Sequence, residues 1–442
     1  MADHAISSDP AVQAQLDRLA TLSPGADILG LDRIATLLAR LGNPERRLPP
    51  VLHVAGTNGK GSTCAYLRAA IEAAGLRTHV YTSPHLVRFN ERIRLAGTLI
   101  DDAALAAALA EVLDVAGTIA PSFFEVTTAA AFLAFARTPA DACIIEVGLG
   151  GRLDATNVLR DPAACGIAQL GLDHQAFLGN RIEDIAAEKA GIAKPGVPLL
   201  TMAYPPALAH RITTVADAAG ATLRAEARDW SYAVRDDHVA YQDADGTLRL
   251  APPALAGPHQ AGNLALAIAM LRHQHRITLP DAALRGAGGN ARWPARMQHV
   301  TAGVLHATLL PGADLWIDGA HNPAAAEAVA PCLAALRRDG RPLLLIVGLL
   351  ANKDAHGVLA PLARHVDGMI AVPVPGHATH DPAALAGAAN ALGIVAATAP
   401  DAPAALAQIM AAADPAHPPQ IVILGSLYLA GSVLAANRTP PD

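Results

Sequence analysis

Seven consecutive residues, Gly56-Thr57-Asn58-Gly59-Lys60-Gly61-Ser62, carry the strongest chemical signal in the chain. The apolar, β-branched run at 51–55 predicts a strand, and the alanine-rich stretch opened by Ser62 and Thr63 predicts a helix. A glycine-rich turn between such elements makes a phosphate cradle. Its backbone N–H groups converge on an anion, the helix start adds partial positive charge, Lys60 adds a full charge, and a hydroxyl can reach Mg²⁺. The fit to the common GxxxxGK[ST] loop is loose, because Gly61 separates Lys60 from Ser62. An Asn-Gly turn capping a helix is the plain alternative.

Other candidates stand where predicted strands end. Ser83 follows the strand at 78–82, and His174, preceded by Asp173, follows the one at 166–170. Glu146 closes the strand at 142–147; its carboxylate suits Mg²⁺, and a pair with Arg152 is the alternative. Histidine is an uncommon Mg²⁺ ligand, so a structural role competes at His174. Lys189, in IAAEKAG, is by default a solvated lysine. Facing a cleft, it could pair with phosphate or react with CO₂ to give a metal-binding carbamate. Arg88, Arg92 and Arg94 alternate as on an extended segment, some of them facing solvent. Asp318 and His321 occupy a second strand-to-helix turn suited to a small charged substrate. His273 and His275 read as surface residues, with no third ligand spaced to join them.

The elements that must position these residues alternate between strand and helix, which predicts an α/β fold with a doubly wound, mostly parallel sheet. Ligands of such sheets gather at the carboxyl ends of the strands, where Gly56, Ser83, Glu146 and His174 all fall. Two helical segments over 11–42, joined by the loop Ser23 to Gly30, precede the first strand, and the segment after Ser83 reads as irregular. Helices are expected over Asp101–Ala116, Glu125–Arg137, Asn180–Ile192 and Gln260–Arg272, with a strand over Val197–Met202. Weak alternation over 222–252, with the turn DADG, suggests a hairpin. A second, smaller α/β unit follows, with strands at 315–317, 343–349, 368–372 and 421–424. Pro331 within its first helix predicts a kink or a later helix start.

Composition excludes several classes. The 442 residues are 52% apolar and 16% charged with net charge −6, a globular composition without the basic face of a nucleic-acid binder. The acidic, polar N-terminus is unlike a signal peptide, and no apolar run is long enough to span a bilayer. The four widely spaced cysteines form neither a zinc pattern nor an evident disulfide framework. Together these point to a cytoplasmic protein with no nucleic-acid or membrane partner.

Taken in order, the motifs resemble folylpolyglutamate synthase/dihydrofolate synthase, a family of the Mur ligase superfamily. The match runs through AGTNGKGS at 55–62, TSPHL at 82–86, NERIR at 90–94, FFEVTT at 123–128 and EVGLGGRLDATN at 146–157. It continues through LDH at 172–174, EKAGI at 188–192, HQAGN at 259–263, ARMQ at 295–298, DGAHNP at 318–323, KD at 353–354 and GSLYLAG at 425–431. Gln175, Ala295 and Asn352 depart from the family pattern.

The resemblance implies a P-loop-type ATP-binding domain over 1–295 and a Rossmann-like glutamate-ligase domain over 296–442. It also implies ATP-dependent amide formation, in which a carboxylate becomes an acyl phosphate and the amine of L-glutamate displaces phosphate. By resemblance, Thr57, Asn58, Gly59, Lys60, Gly61, Ser62, Asn263, Arg296 and Asp318 contact ATP. Ser62, Ser83, Glu146 and His174 serve two Mg²⁺ sites, and Lys189 is carbamylated; a monovalent cation is a further candidate. Lys60, Lys189 and His321 are the expected catalytic residues, with His321 and Ser426 near the acyl phosphate and glutamate. Dihydropteroate or a reduced folate would lie against Leu29, Gly30, Leu31 and Asp32, against Phe123, Phe124 and Glu125, and against Leu153, Asp154 and Ala155. A monomer with small-molecule partners is expected. Another Mur-type amino-acid ligase and a non-catalytic nucleotide-binding protein are the rival readings, separated by acceptor-dependent ADP release.

Overall fold

The structure is a computed structural model that describes residues 5–22 and 29–442, so most of the expected loop Ser23 to Gly30 lies outside it. The chain divides into two compact units, one holding residues 88–254 and 260–292 with the N-terminal 84, the other residues 85–87, 255–259 and 293–442.

In the first unit, helices α1 (Pro10–Leu22) and α2 (Asp32–Arg40) lead into β1 (Val51–Ala55), α3 (Lys60–Ala73) and β2 (Thr78–Tyr81). The segment expected to be irregular instead forms two short strands, β3 (Ile93–Leu95) and β4 (Thr98–Leu99), pairing antiparallel onto β2. Runs of two and three residues are too short to show an alternation in the sequence. Then come α4 (Asp102–Ala116), α5 (Phe123–Arg137), β5 (Ala142–Glu146), β6 (Ala164–Ile167), α6 (Gln175–Leu178) and α7 (Ile182–Ala190). Helix α5 starts two residues earlier than expected because Ser122 and Glu125 form a capping box: the Glu125 N–H donates to Ser122 Oγ at 3.2 Å, and the Ser122 N–H to Glu125 Oε2 at 2.6 Å.

β7 (Pro198–Thr201), α8 (Pro206–Ala219) and β8 (Thr222–Ala225) complete the main sheet. Among the described residues its order is β4-β3-β2-β5-β1-β6-β7-β8, parallel from β2 onward. The expected hairpin is an antiparallel sheet of β9 (Trp230–Val234), β10 (Val239–Asp243) and β11 (Gly246–Leu250), with DADG as the β10–β11 turn. Helices α9 (Gln260–Arg272) and α10 (Asp281–Asn290) end the unit. Odd-numbered positions of β1 face one side: Val51 joins the core of α1, α2, α4 and α5, while Ala55 joins that of α7 and α8. His53 lies between them, fully buried.

The second unit holds β12 (Gln298–Val300), β13 (Asp314–Ile317), α11 (Pro323–Leu336), β14 (Leu343–Val347), α12 (Ala355–Ala363) and β15 (Gly368–Ala371). It ends with α13 (Pro382–Ala391), β16 (Ala396–Thr398), α14 (Ala402–Ala412), β17 (Gln420–Leu424) and α15 (Leu427–Ala436). Its described strands run β12-β13-β17-β14-β15-β16, all parallel except β12. Two edge strands, β12 and β16, were not expected from the sequence; each has three residues. Helix α11 continues through Pro331 rather than starting after it. Cys64, Cys143, Cys165 and Cys332 are all buried and unpaired.

Candidate active site

The site begins where β1 gives way to α3. Gly59 caps α3 with φ 82°, a left-handed conformation, and a Cβ there would stand 2.5 Å from Asn263 Oδ1 of α9. Glycine is therefore required by the turn and by the close approach of α9. No side chain caps α3, so its first-turn N–H groups are left for a ligand. Lys60 Nζ donates to the carbonyls of Gly56 and Thr57 at 3.1 and 3.2 Å, which holds the ammonium inside the loop. Thr57 Oγ1 donates to Gly171 O at 3.0 Å and accepts from the Gly171 N–H at 3.1 Å, tying the loop to the segment after β6. Ser62 is buried in the first turn of α3.

Strand order brings the other candidates alongside. β2, β5, β1 and β6 are consecutive neighbours, so Ser83, Glu146, the glycine loop and Asp173-His174 follow four adjacent strands. The Ser83 N–H donates to Glu146 Oε2 at 3.2 Å. Arg152, weighed as the partner of Glu146, instead pairs with Glu188 at 2.8 Å. His174 is exposed with φ 51°, and its N–H donates to Asp173 Oδ1 at 2.8 Å. Buried Asp173 is a residue that sequence reasoning left without a role; LDH was the available signal.

Lys189 overturns the expectation of a solvated lysine, since it is only 4% exposed. Burial, then the charge of Lys60, bring its pKa down to about 7, against the opposing pull of Asp173, Asp154 and Glu188. A lysine held partly neutral at physiological pH is a nucleophile toward CO₂.

Three segments were expected to contact a pterin. Phe123 belongs to the core, packed edge-on against Phe89 with the Arg92 guanidinium over its ring. Arg92, expected on a partly solvated stretch, is 1% exposed. Phe124 keeps a half-buried ring, and Gly148 makes room for it, because a Cβ there would meet Phe124 Cζ at 2.3 Å. Glu125 is buried and paired with Arg33 of α2 at 3.0 Å. Leu29, Gly30 and Leu31 are half-buried, and Asp32 is exposed at the start of α2.

Leu153 is half-buried and Ala155 is buried. The Asp154 carboxylate is wholly buried and accepts from the backbone of Leu149, Thr156 and Gly148 and from the Thr156 hydroxyl. Those four donors fill a carboxylate, which leaves backbone rather than side chain for a substrate at this position.

In the second unit, strand ends again gather polar groups. Asp318, buried after β13, accepts the N–H groups of Met297 and Ala320, each at 2.7 Å. Burial raises its pKa against the nearby Arg296 charge. His321 Nδ1–H donates to Gly319 O at 2.8 Å, which makes Nε2 the acceptor nitrogen. Ser426, buried after β17, accepts the Tyr428 N–H at 3.1 Å. The Tyr428 ring stacks on His377 with centroids 3.9 Å apart, a pair that sequence reasoning missed.

A family model described as "Dihydrofolate synthetase, C-terminal domain" matches residues 311–436. The Escherichia coli dihydrofolate synthase/folylpolyglutamate synthase is 38% identical over 349 residues, 79% of this chain and 78% of that protein. This chain belongs to that family. The Bacillus subtilis dihydrofolate synthase/folylpolyglutamate synthase is 36% identical over 75% of this chain and 78% of its own length. Among solved structures, E. coli FolC in complex with DHPP and ADP shares 34% identity over 97% of each chain, with a TM-score of 0.86. The Yersinia pestis bifunctional enzyme complexed with AMPPNP and Mn ion shares 33% identity over 97% of this chain and 99% of its own, with a TM-score of 0.85. The fold class expected from the sequence, a mostly parallel α/β sheet followed by a second sheet unit, is the fold of these relatives.

Proposed function

We propose that this chain joins L-glutamate to dihydropteroate and to the glutamyl tail of reduced folates, using ATP and an acyl-phosphate intermediate. The observation that carries the reading is the uncapped start of α3, with Lys60 inside its loop and Glu146 and Ser83 on neighbouring strand ends. Phosphoryl transfer needs positioning and charge neutralisation more than covalent help from the protein.

In the first step an acceptor carboxylate oxygen bonds to the γ-phosphorus and the bond to ADP breaks. In the second, the glutamate amine attacks the activated carbonyl, phosphate leaves, and the amine proton is lost. Thr57, Asn58, Gly59, Lys60, Gly61 and Ser62 hold the ATP phosphates, with Asn263 behind the loop. Ser62, Ser83, Glu146 and His174 would hold divalent ions. Two hydroxyls and a carboxylate suit a hard, oxygen-seeking ion, with the His174 imidazole the less usual ligand of the set, and the Ser83 N–H fixes one Glu146 oxygen. Bound there, such ions neutralise phosphate charge. Lys189 in its neutral form takes up CO₂, forming an N–C bond and releasing a proton, and so becomes an anion beside the phosphate loop.

Phe124 and the backbone over 153–155 form the pterin platform. Arg296 and Asp318 contact the nucleotide, while His321 and Ser426 serve glutamate and the acyl phosphate. The unit ending near residue 295 is the ATPase domain and the remainder the glutamate-ligase domain. The enzyme works as a monomer in the cytoplasm, the compartment being in keeping with four unpaired thiols.

The test is ADP release with ATP, Mg²⁺ and L-glutamate, adding dihydropteroate or tetrahydrofolate separately, with glutamylated product identified by mass. Both acceptors should stimulate release. ATP binding without acceptor-dependent ADP would establish instead a nucleotide-binding protein without turnover.

A further inference from the structure

A buried polar chain links the strand that feeds the phosphate loop to the turn proposed to face the pterin. His53 Nε2 lies 2.9 Å from Thr156 Oγ1, and the Thr156 hydroxyl bonds Asp154 Oδ1. All three side chains are buried. A threonine hydroxyl has one proton, and the Asp154 carboxylate, already collecting backbone N–H groups, takes it. The imidazole must then donate from Nε2, which leaves Nδ1 as a bare acceptor. Nδ1 is indeed buried with no hydrogen-bond partner, so a second ring proton would have nowhere to go. Burial and the nearby Lys194 charge both oppose protonation of this ring.

We propose that His53, fixed as its Nε2–H tautomer, is a positioning residue for the acceptor substrate. It holds the Thr156 hydroxyl on Asp154, and Asp154 in turn gathers the N–H groups of Gly148 and Leu149 into one turn. Gly148 is the floor beneath the half-buried Phe124 ring. The chain of contacts thus runs from β1 to the pterin platform without touching the ATP phosphates. Removing the imidazole donor frees the hydroxyl to rotate and loosens the platform, while the phosphate loop keeps its own bonds to Gly171 and Gln169.

The kinetic half of this inference rests on the proposed function; the tautomer half does not. Imidazole ¹⁵N shifts of the wild-type protein at neutral pH should identify an Nε2–H ring at His53. His53→Leu should raise the KM of the pterin acceptor about tenfold, the equivalent of about 1.4 kcal/mol, and leave the KM of ATP within about twofold. His53→Gln keeps a side-chain N–H donor and should restore most of the loss. Thr156→Val should add little on top of His53→Leu, whereas Thr156→Ser should behave as wild type. An Nδ1–H tautomer overturns the proposal. So do equal rises in both KM values, or a glutamine variant as impaired as leucine. If His53→Leu does not fold, the glutamine, serine and valine variants decide it alone. If the wild type lacks turnover, the functional reading fails, and non-additive thermal shifts of Thr156→Val and His53→Gln still test the network.

Discussion

The first helix after β1 and the helices of the second unit start in opposite ways. In the second unit every α-helix start is closed by a side chain. Asn322 accepts the Ala325 N–H at 2.9 Å, Asp354 that of Gly357 at 2.9 Å, Asp381 that of Ala383 at 2.9 Å, Asp401 that of Ala404 at 2.7 Å, and Ser426 that of Tyr428 at 3.1 Å. At α3 the cap is Gly59, which has no side chain to offer. A capped start spends its N–H groups on stability, whereas an uncapped one keeps them for an anion. Uncapped starts also occur at α2, α7, α8 and α10 of the first unit; what sets the α3 start apart is left-handed Gly59 at the cap with the Lys60 ammonium held inside the loop.

The contrast is most sharply tested by removing the charge inside the open turn. Lys60→Ala should lower acceptor-dependent ADP release by about 10³-fold with the melting temperature nearly unchanged. A variant that keeps its turnover would mean that the open helix start suffices alone. Gly59→Ala forces a Cβ into the left-handed region and toward Asn263, and should cost about 1–3 kcal/mol of stability and weaken ATP binding in calorimetry.

Acid should expose the buried histidine of the first unit. His53 has its pKa lowered to about 3 from the ordinary 6.5. Between these values the unfolded chain binds a proton that the folded chain refuses, so stability is lost as pH falls through that window. The slope reaches about 1.4 kcal/mol per pH unit, and denaturant titrations of His53→Gln should show it flattened. Last and smallest, Asp401→Ala opens a capped helix of the second unit. It should cost about 1 kcal/mol and leave the KM of ATP where it was; a change in that KM would argue against a purely structural cap.

Much of this was legible in the sequence, for definable reasons. β1 and β5 are mostly apolar runs of five residues, α3 and α9 are helices of 14 and 13 residues, and the glycine loop marks its own turn. What stayed hidden was set by tertiary packing. Arg92 lies among polar neighbours and Lys189 follows a glutamate in a short helix, so both are solvated by default, yet both are buried by tertiary packing, Arg92 against Phe89 and Phe123. Phe123 and Phe124 are adjacent and alike, and only the start of α5 at Ser122 decides which ring enters the core. β3, β4, β12 and β16 are edge strands too short for a periodic signal, and the His53–Thr156–Asp154 chain joins residues 103 positions apart.

The four cysteines offer a practical return. All are buried, and burial raises the pKa of each thiol, so the native chain presents little thiolate to an alkylating reagent. One cysteine placed in the exposed β10–β11 turn, as Ala244→Cys, would accept a maleimide dye or spin label selectively. No native thiol would have to be removed first, so the mobility and environment of the probe could be followed under turnover on an otherwise unaltered chain.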